Sequence, residues 1–399
     1  MKTNKLEEYG QIYKTALLEN IVPFWEQNSP DRENGGYFTC LDRKGKVFDT
    51  DKFIWLQGRQ AWMFATLYQQ VDQRKEWLDL SKMGIEFLKN HGADHEGKFY
   101  FSLTREGQPL VQPYNIFSDC FAAMAFGKYG LVSGDSHSTE RAVNIFNQIL
   151  SRQDNPKGKY NKAFPGTRPL KNFALPMILS NLCLELEPLL DNSMVEETLD
   201  KCIHEVMDNF LDRETLLVYE NRTLDNGFSD SFEGRLLNPG HAIEAMWFMM
   251  DIASRREDKK LAQKAVEVML KQLEYGWDRE FGGIFYFLDV KGNPPQQLEW
   301  DQKLWWVHLE TLVALAKGYQ LTGNDQCASW FEKVHEYAWN IFYDRDFGEW
   351  FGYLNRRGEV ILDLKGGKWK GCFHVPRALL QVWKTLEKET ISINRTTSF

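Results

Sequence analysis

What the sequence lacks narrows it first. Its 399 residues hold six cysteines, Cys40, Cys120, Cys183, Cys202, Cys327 and Cys372, scattered with no CxxC pair. Neither a disulfide framework nor a thiolate zinc site is indicated, and reduced thiols in a cytoplasmic protein are expected. No apolar run approaches the roughly 18 residues of a membrane span, and Met1 to Tyr9 is polar where a signal peptide needs an apolar core. HExxH, GxSxG, Walker and GxGxxG patterns are all missing, so zinc-protease, serine-hydrolase, P-loop and Rossmann readings have no foothold and no metal site is expected. Charge of one sign is nowhere blocked. The net charge of −8 is spread with acidic and basic residues interspersed, which leaves no surface for nucleic acid and keeps a small neutral or anionic partner open.

Aromatic residues are abundant, 14% of the chain with 14 Trp, and flat faces of this kind either fill a core or pack against the C–H faces of sugar rings. They recur in a pattern. An acidic anchor is followed by Gly, an aromatic-rich alternating run and a second turn, which reads as a β-hairpin. Clear copies are Asp31-Arg-Glu-Asn-Gly-Gly-Tyr-Phe with a turn at Arg43, and Asp94-His-Glu-Gly-Lys-Phe-Tyr-Phe with a turn at Arg105. Two more are Asp278-Arg-Glu-Phe-Gly-Gly-Ile-Phe with Lys291-Gly, and Asp344-Arg-Asp-Phe-Gly-Glu-Trp-Phe with Arg356. Weaker copies begin near Asp154 and Asp212, so the anchors stand roughly 58 to 66 residues apart and define six units.

Two helical patterns separate successive hairpins. Leu80–Asn90, Arg141–Ser151, Val195–Phe210, Leu261–Tyr275 and Cys327–Phe342 place apolar residues at i, i+3, i+4. Gly58–Gln70, Ser118–Tyr129, Leu175–Leu186, Pro239–Ala253, Trp305–Leu321 and Val375–Leu386 are apolar almost all round, and a helix of that kind is buried on every side. An outer and an inner ring follow. The expected fold is all-α, a single (α/α)6-barrel domain over residues 1–399, with β-hairpins and long loops walling a cleft at one end. The polar tail 388–399 is expected to fray.

Polar residues at the N-terminal ends of the inner helices face such a cleft. They are Arg59, Asp119, His241, His308 with Glu310, and His374 with Arg377. His241, His308 and His374 follow their anchors by 29 or 30 residues, which expects three imidazoles on one rim. Glu244, one helical turn after His241, is expected to orient it. The other five histidines, His91, His95, His137, His204 and His335, read as solvated surface.

These residues resemble the N-acylglucosamine 2-epimerase family, whose mammalian members are also called renin-binding proteins. The resemblance lies in Gly35-Gly-Tyr-Phe-Thr-Cys-Leu-Asp-Arg, Trp55-Leu-Gln-Gly-Arg-Gln, Asn238-Pro-Gly-His, Gln297-Leu-Glu-Trp, Lys303-Leu-Trp-Trp, Gly348-Glu-Trp-Phe-Gly-Tyr-Leu and Lys370-Gly-Cys-Phe-His-Val-Pro-Arg. It implies interconversion of N-acetylglucosamine and N-acetylmannosamine by proton removal and return at C2, with no cofactor consumed. His374 and His241 are the expected bases, Arg59 the group that steadies the oxyanion, and Glu244 the orienting group. Glu310, His308, Trp305, Trp306, Arg377 and Asp119 are expected to shape the sugar pocket. The resemblance further implies a homodimer activated by ATP, whose candidate loop carries Arg152, Lys157, Gly158, Lys159 and Lys162. Cellobiose 2-epimerases and aldose–ketose isomerases share the barrel and histidines and stand as alternatives. So do a glycoside hydrolase using Asp119 and Glu310 and, outside catalysis, a protease-binding protein.

Overall fold

A computed structural model describes residues 3–164 and 166–396. Helix α1 (Thr3–Ala16) runs through a π turn into α2 (Val22–Asn28), and strand β1 (Lys52–Phe53) leads into α3 (Ile54–Gln70). There follow α4 (Lys75–His91), β2 (Ser102–Leu103), β3 (Pro109–Val111), α5 (Ile116–Ser133), α6 (Ser136–Ser151), β4 (Leu170–Asn172) and α7 (Ala174–Leu186). Next come α8 (Asn192–His204), β5 (Asn221–Thr223), β6 (Leu236–Leu237), α9 (Pro239–Arg256) and α10 (Lys259–Gly276). The chain closes with β7 (Leu288–Asp289), β8 (Lys303–Leu304), α11 (Trp305–Thr322), α12 (Asp325–Ile341), β9 (Tyr353–Leu354), β10 (Val360–Leu362) and α13 (His374–Thr396).

The inner helices are α3, α5, α7, α9, α11 and α13; the outer ones are α1 with α2, α4, α6, α8, α10 and α12. In α5 every residue from Ser118 to Gly127 is buried, as an inner helix requires, whereas α10 buries Ala262, Ala265, Val266, Met269 and Leu273 along one face. Short polar side chains start these helices. Asn115, Asp135, Asp258 and Asn324 each accept a backbone N–H of the first turn, and Gly134 and Gly323 end α5 and α11 in left-handed conformation. Two expectations change. The sixth outer helix, absent from the periodic segments read in the sequence, is the N-terminal α1–α2 pair. The tail expected to fray from residue 388 is helical to Thr396, and residues 397–399 lie outside the described residues. None of the described helices is long and apolar enough to cross a membrane.

Neighbouring units are stapled in one repeated way. The strand leading into an inner helix pairs with the hairpin of the next unit: β1 with β2, β4 with β5, β6 with β7, and β8 with β9. From unit six to unit one the N–H groups of Lys365 and Gly366 donate to the carbonyl of Leu41 at 3.0 and 3.2 Å. Ion pairs reinforce these joints. The arginine of the next hairpin's second turn reaches back to the anchor aspartate, Arg105 to Asp31 at 2.9 Å, Arg356 to Asp278 at 2.8 Å and Arg43 to Asp344 at 2.7 Å. Fully buried Lys52, Lys303 and Lys365 donate to the same three carboxylates at 2.9, 3.1 and 2.8 Å. Because Arg43 belongs to the first unit and Asp344 to the sixth, the ring is closed. The fold is an (α/α)6 barrel, and a linear solenoid is excluded.

Candidate active site

Two histidines, each held by a carboxylate, face one end of the barrel. His374 is the first residue of α13; its Nδ1 lies 2.7 Å from Oε1 of Glu310 on α11. His241 is the third residue of α9, its Nδ1 3.0 Å from Oε1 of Glu220, which stands just before β5. The Trp306 indole sits between the imidazoles, 5.3 Å from His241 and 5.8 Å from His374 between ring centroids. With Nδ1 held by a carboxylate in each pair, Nε2 of each ring is left free to take or give a proton.

Charge around the two rings is uneven. Burial, then the positive charges of Arg59 and Arg377, hold His374 well below the usual 6.5, against the opposing pull of Glu244. Burial acts on His241 in the same sense, but Glu220 at hydrogen-bond distance, together with Glu244, outweighs it and carries the pKa above 6.5. The two imidazoles are thus shifted in opposite senses, His241 holding a proton more tightly than His374. Arg377 Nη2 bridges Glu244 at 2.5 Å and Glu310 at 2.7 Å, and Trp247 Nε1 donates to the second oxygen of Glu310 at 3.0 Å. Glu244, Glu310 and His374 offer ligand atoms within 4.8 Å of one another, but the guanidinium of Arg377 already supplies the positive charge between the carboxylates.

Arg59, the sixth residue of α3, makes no ion pair among the described residues. Its guanidinium packs over Phe121, Trp55 and Phe373 at 4.0, 4.3 and 4.5 Å, and its Nε is buried without a partner. Burial, with the like charge of Arg377 adding to it, pushes its pKa down to about 9, so it stays cationic. A buried, unpaired cation beside two imidazoles is suited to neutralise a negative charge. Trp305 Nε1 is likewise buried and unpartnered, with its ring edge-on to His374 at 6.2 Å.

The structure brings together His374, His241, Arg59, Glu244, Glu310, Arg377, Trp305 and Trp306, and corrects five expectations. Glu244 does not hold His241; it accepts from Arg377, and the orienting carboxylate is Glu220, which the sequence reading missed. His308 is the fourth residue of α11, a different phase from His241 and His374: α9 and α11 both begin 27 residues after their anchors and α13 begins 30 after its own, so spacings of 29, 30 and 30 reach the third, fourth and first helical positions. Its Nδ1 donates to Leu304 O at 2.7 Å and its Nε2 accepts from Ile284 N at 3.0 Å, leaving no nitrogen for a sugar. Gln57, fourth in α3, holds Tyr37 N in the same way at 2.7 Å, and Asp119, fourth in α5, accepts from Phe99 N. In units one, two and five the fourth-position residue therefore anchors its own hairpin, whereas Arg377, fourth in α13, turns to Glu244 and Glu310. Asp119 also pairs with Arg152 at 2.6 Å, which removes the glycosidase pairing of Asp119 with Glu310 and commits Arg152, one of the expected phosphate ligands. Lys157, Gly158, Lys159 and Lys162 remain exposed on a surface turn. Among the histidines read as surface, His335 is half-buried, 3.0 Å from the Tyr13 hydroxyl.

The sequence model of the family described as N-acylglucosamine 2-epimerase matches residues 36–378. The chain belongs to the N-acylglucosamine 2-epimerase family. The rat N-acylglucosamine 2-epimerase is 40% identical over 388 residues, spanning 94% of this chain and 92% of that protein. The cattle protein of the same name is 42% identical, spanning 91% and 87%. A cellobiose 2-epimerase from Ruminococcus albus is 27% identical over 92% of this chain and 97% of its own length. The barrel is shared with the cellobiose 2-epimerase from Bacillus thermoamylovorans, at TM-score 0.82 and 19% identity over 95% and 99% of the two chains. A D-mannose isomerase superposes at 0.81 with 18% identity over 94% and 98%. This family member is an enzyme of the carbohydrate epimerase and isomerase class.

Proposed function

We propose that the enzyme interconverts N-acetyl-D-glucosamine and N-acetyl-D-mannosamine by moving the proton at C2. The observation that carries this reading is the pair of histidine–carboxylate dyads with opposite proton affinities beside one unpaired arginine. In the open-chain aldehyde the C1 carbonyl makes the C2–H acidic, and inversion needs removal from one face and return to the other. Neutral His374 takes the proton of N-acetylglucosamine through Nε2 while Glu310 stabilises the imidazolium formed. Arg59 neutralises the charge developing on O1, and protonated His241, steadied by Glu220, returns a proton to the opposite face. General acid–base work of this kind is worth about 10² to 10⁴-fold per group.

The acyl-sugar specificity is supported by the 40% and 42% identity to the rat and cattle enzymes. ATP as an allosteric activator and a homodimer belong to the same proposal. Three exposed lysines on one turn, Lys157, Lys159 and Lys162, fit a polyphosphate, whereas Arg152 is held by Asp119. Product analysis on N-acetylglucosamine, cellobiose, mannose and glucose, each with and without ATP, tests the whole assignment. The expected outcome is N-acetylmannosamine from N-acetylglucosamine, faster with ATP. Turnover of cellobiose or mannose alone refutes the acyl-sugar assignment in favour of a disaccharide epimerase or aldose–ketose isomerase.

A further inference from the structure

Two departures from the sixfold pattern meet beside His374. Five residues after the anchor aspartate, units one and five carry Gly36 and Gly283, with φ of 66° and 73°; unit six carries Glu349 at φ 56°. A left-handed backbone disfavours any residue with a Cβ, so something holds Glu349 there. Its wholly buried carboxylate accepts from Trp25 Nε1, Trp350 N and Lys370 Nζ, each at 2.7 Å.

Lys370 belongs to the second departure. Lys52 and Lys303 stand two residues before their inner helices, but Lys365 stands nine before α13, so unit six contains seven extra residues. They form a strap whose first foot is Gly366, where a Cβ would come within 2.1 Å of Thr39 O. Its tip exposes Lys368 and Trp369, and Gly367 N donates to Lys370 O at 2.9 Å. At the second foot Lys370 turns back into the core, wholly buried, its Nζ on Glu349 and on Lys365 O, both at 2.7 Å. Only Gly371, Cys372 and Phe373, all buried, separate it from His374.

We propose that the Glu349–Lys370 ion pair is a positioning element for His374, fixing the strap's second foot and so the place where α13 begins and the aim of the imidazole. The proposal rests on the assignment of His374 as the base toward N-acetylglucosamine. A displacement near 1 Å of a catalytic group lowers turnover by about 10²-fold. His241 hangs from α9 and Glu220, neither of which the strap carries, so proton removal from N-acetylmannosamine survives.

The test is the Glu349→Gln/Lys370→Met double variant, which leaves no unpaired buried charge, assayed in D2O on each sugar. The expected result is interconversion reduced at least ten-fold in kcat with KM within about three-fold, while C2–H of N-acetylmannosamine still exchanges with solvent near the wild-type rate. Interconversion at the wild-type rate overturns the proposal, as does equal loss of exchange from both sugars in a protein of wild-type helical content. The reverse pattern, with exchange surviving only for N-acetylglucosamine, refutes instead the assignment of His374. Should the double variant fail to fold, Gly366→Ala displaces the strap without touching a charge and is read by the same comparison.

Discussion

Replacing Glu220 by Gln keeps the shape of the side chain and removes only its charge. The pair is largely out of water, the Glu220 side chain 8% exposed and that of His241 27%, so bulk screening does little to soften the change. A hydrogen bond to a charged group is worth about 1.5–3 kcal/mol, and at about 1.4 kcal/mol per tenfold the variant should lose roughly 10- to 150-fold in kcat/KM. The pH profile carries the sharper signature. In the proposed mechanism His241 acts in its protonated form, and its pKa is raised above the ordinary 6.5, so activity should fall as pH rises through that raised pKa. His374 would act in its neutral form, and its pKa is held well below 6.5, so activity should fall as pH drops through it. In Glu220→Gln the alkaline limb moves to lower pH while the acid limb stays. Both directions share this profile, because the equilibrium between two uncharged sugars does not depend on pH. An unmoved alkaline limb, or movement of the acid limb alone, would refute the division of roles.

Other expectations separate chemistry from scaffold. Gln57 already does in unit one what His308 does in unit five, so His308→Gln should retain activity within about three-fold, whereas His308→Ala should lose about 1–3 kcal/mol in urea unfolding with KM unchanged. A raised KM without loss of stability would restore His308 to the sugar pocket. Arg59→Met should cut kcat by about 10²- to 10³-fold without lowering the melting temperature, since it removes a buried charge that has no ion-pair partner. A clear drop in melting temperature would mark Arg59 as structural. Burial opposes ionisation of Asp278, but Arg356 and Lys303 hold its pKa down to about 2 against an ordinary 3.8. Its contribution is present above 3.8 and lost as pH falls toward 2, so the stability deficit of Asp278→Asn, measured in urea, should shrink across that window.

The barrel was legible because each unit repeats its turn chemistry and because the inner helices have no polar face. The first outer helix escaped because its period is interrupted by the π turn at Leu17–Ile21, which shifts the apolar face. Within the site, His374, Arg59 and Arg377 were readable as polar residues in apolar helices. Glu220 was not, since it belongs to a hairpin from another part of the unit and only tertiary packing brings it to His241. His308 misled for the opposite reason. Linear spacing from an anchor does not report helix phase: His308 and His374 both stand 30 residues after their anchors, but α11 begins 27 and α13 begins 30 residues after them.

The central claim, inversion at C2 by two imidazoles on opposite faces, is tested most directly by proton NMR of N-acetylglucosamine turned over in D2O. The account predicts N-acetylmannosamine carrying deuterium at C2, formed by the wild type and by neither His374→Ala nor His241→Ala. Product that keeps its C2 protium, or deuterated product formed undiminished by either variant, would contradict it.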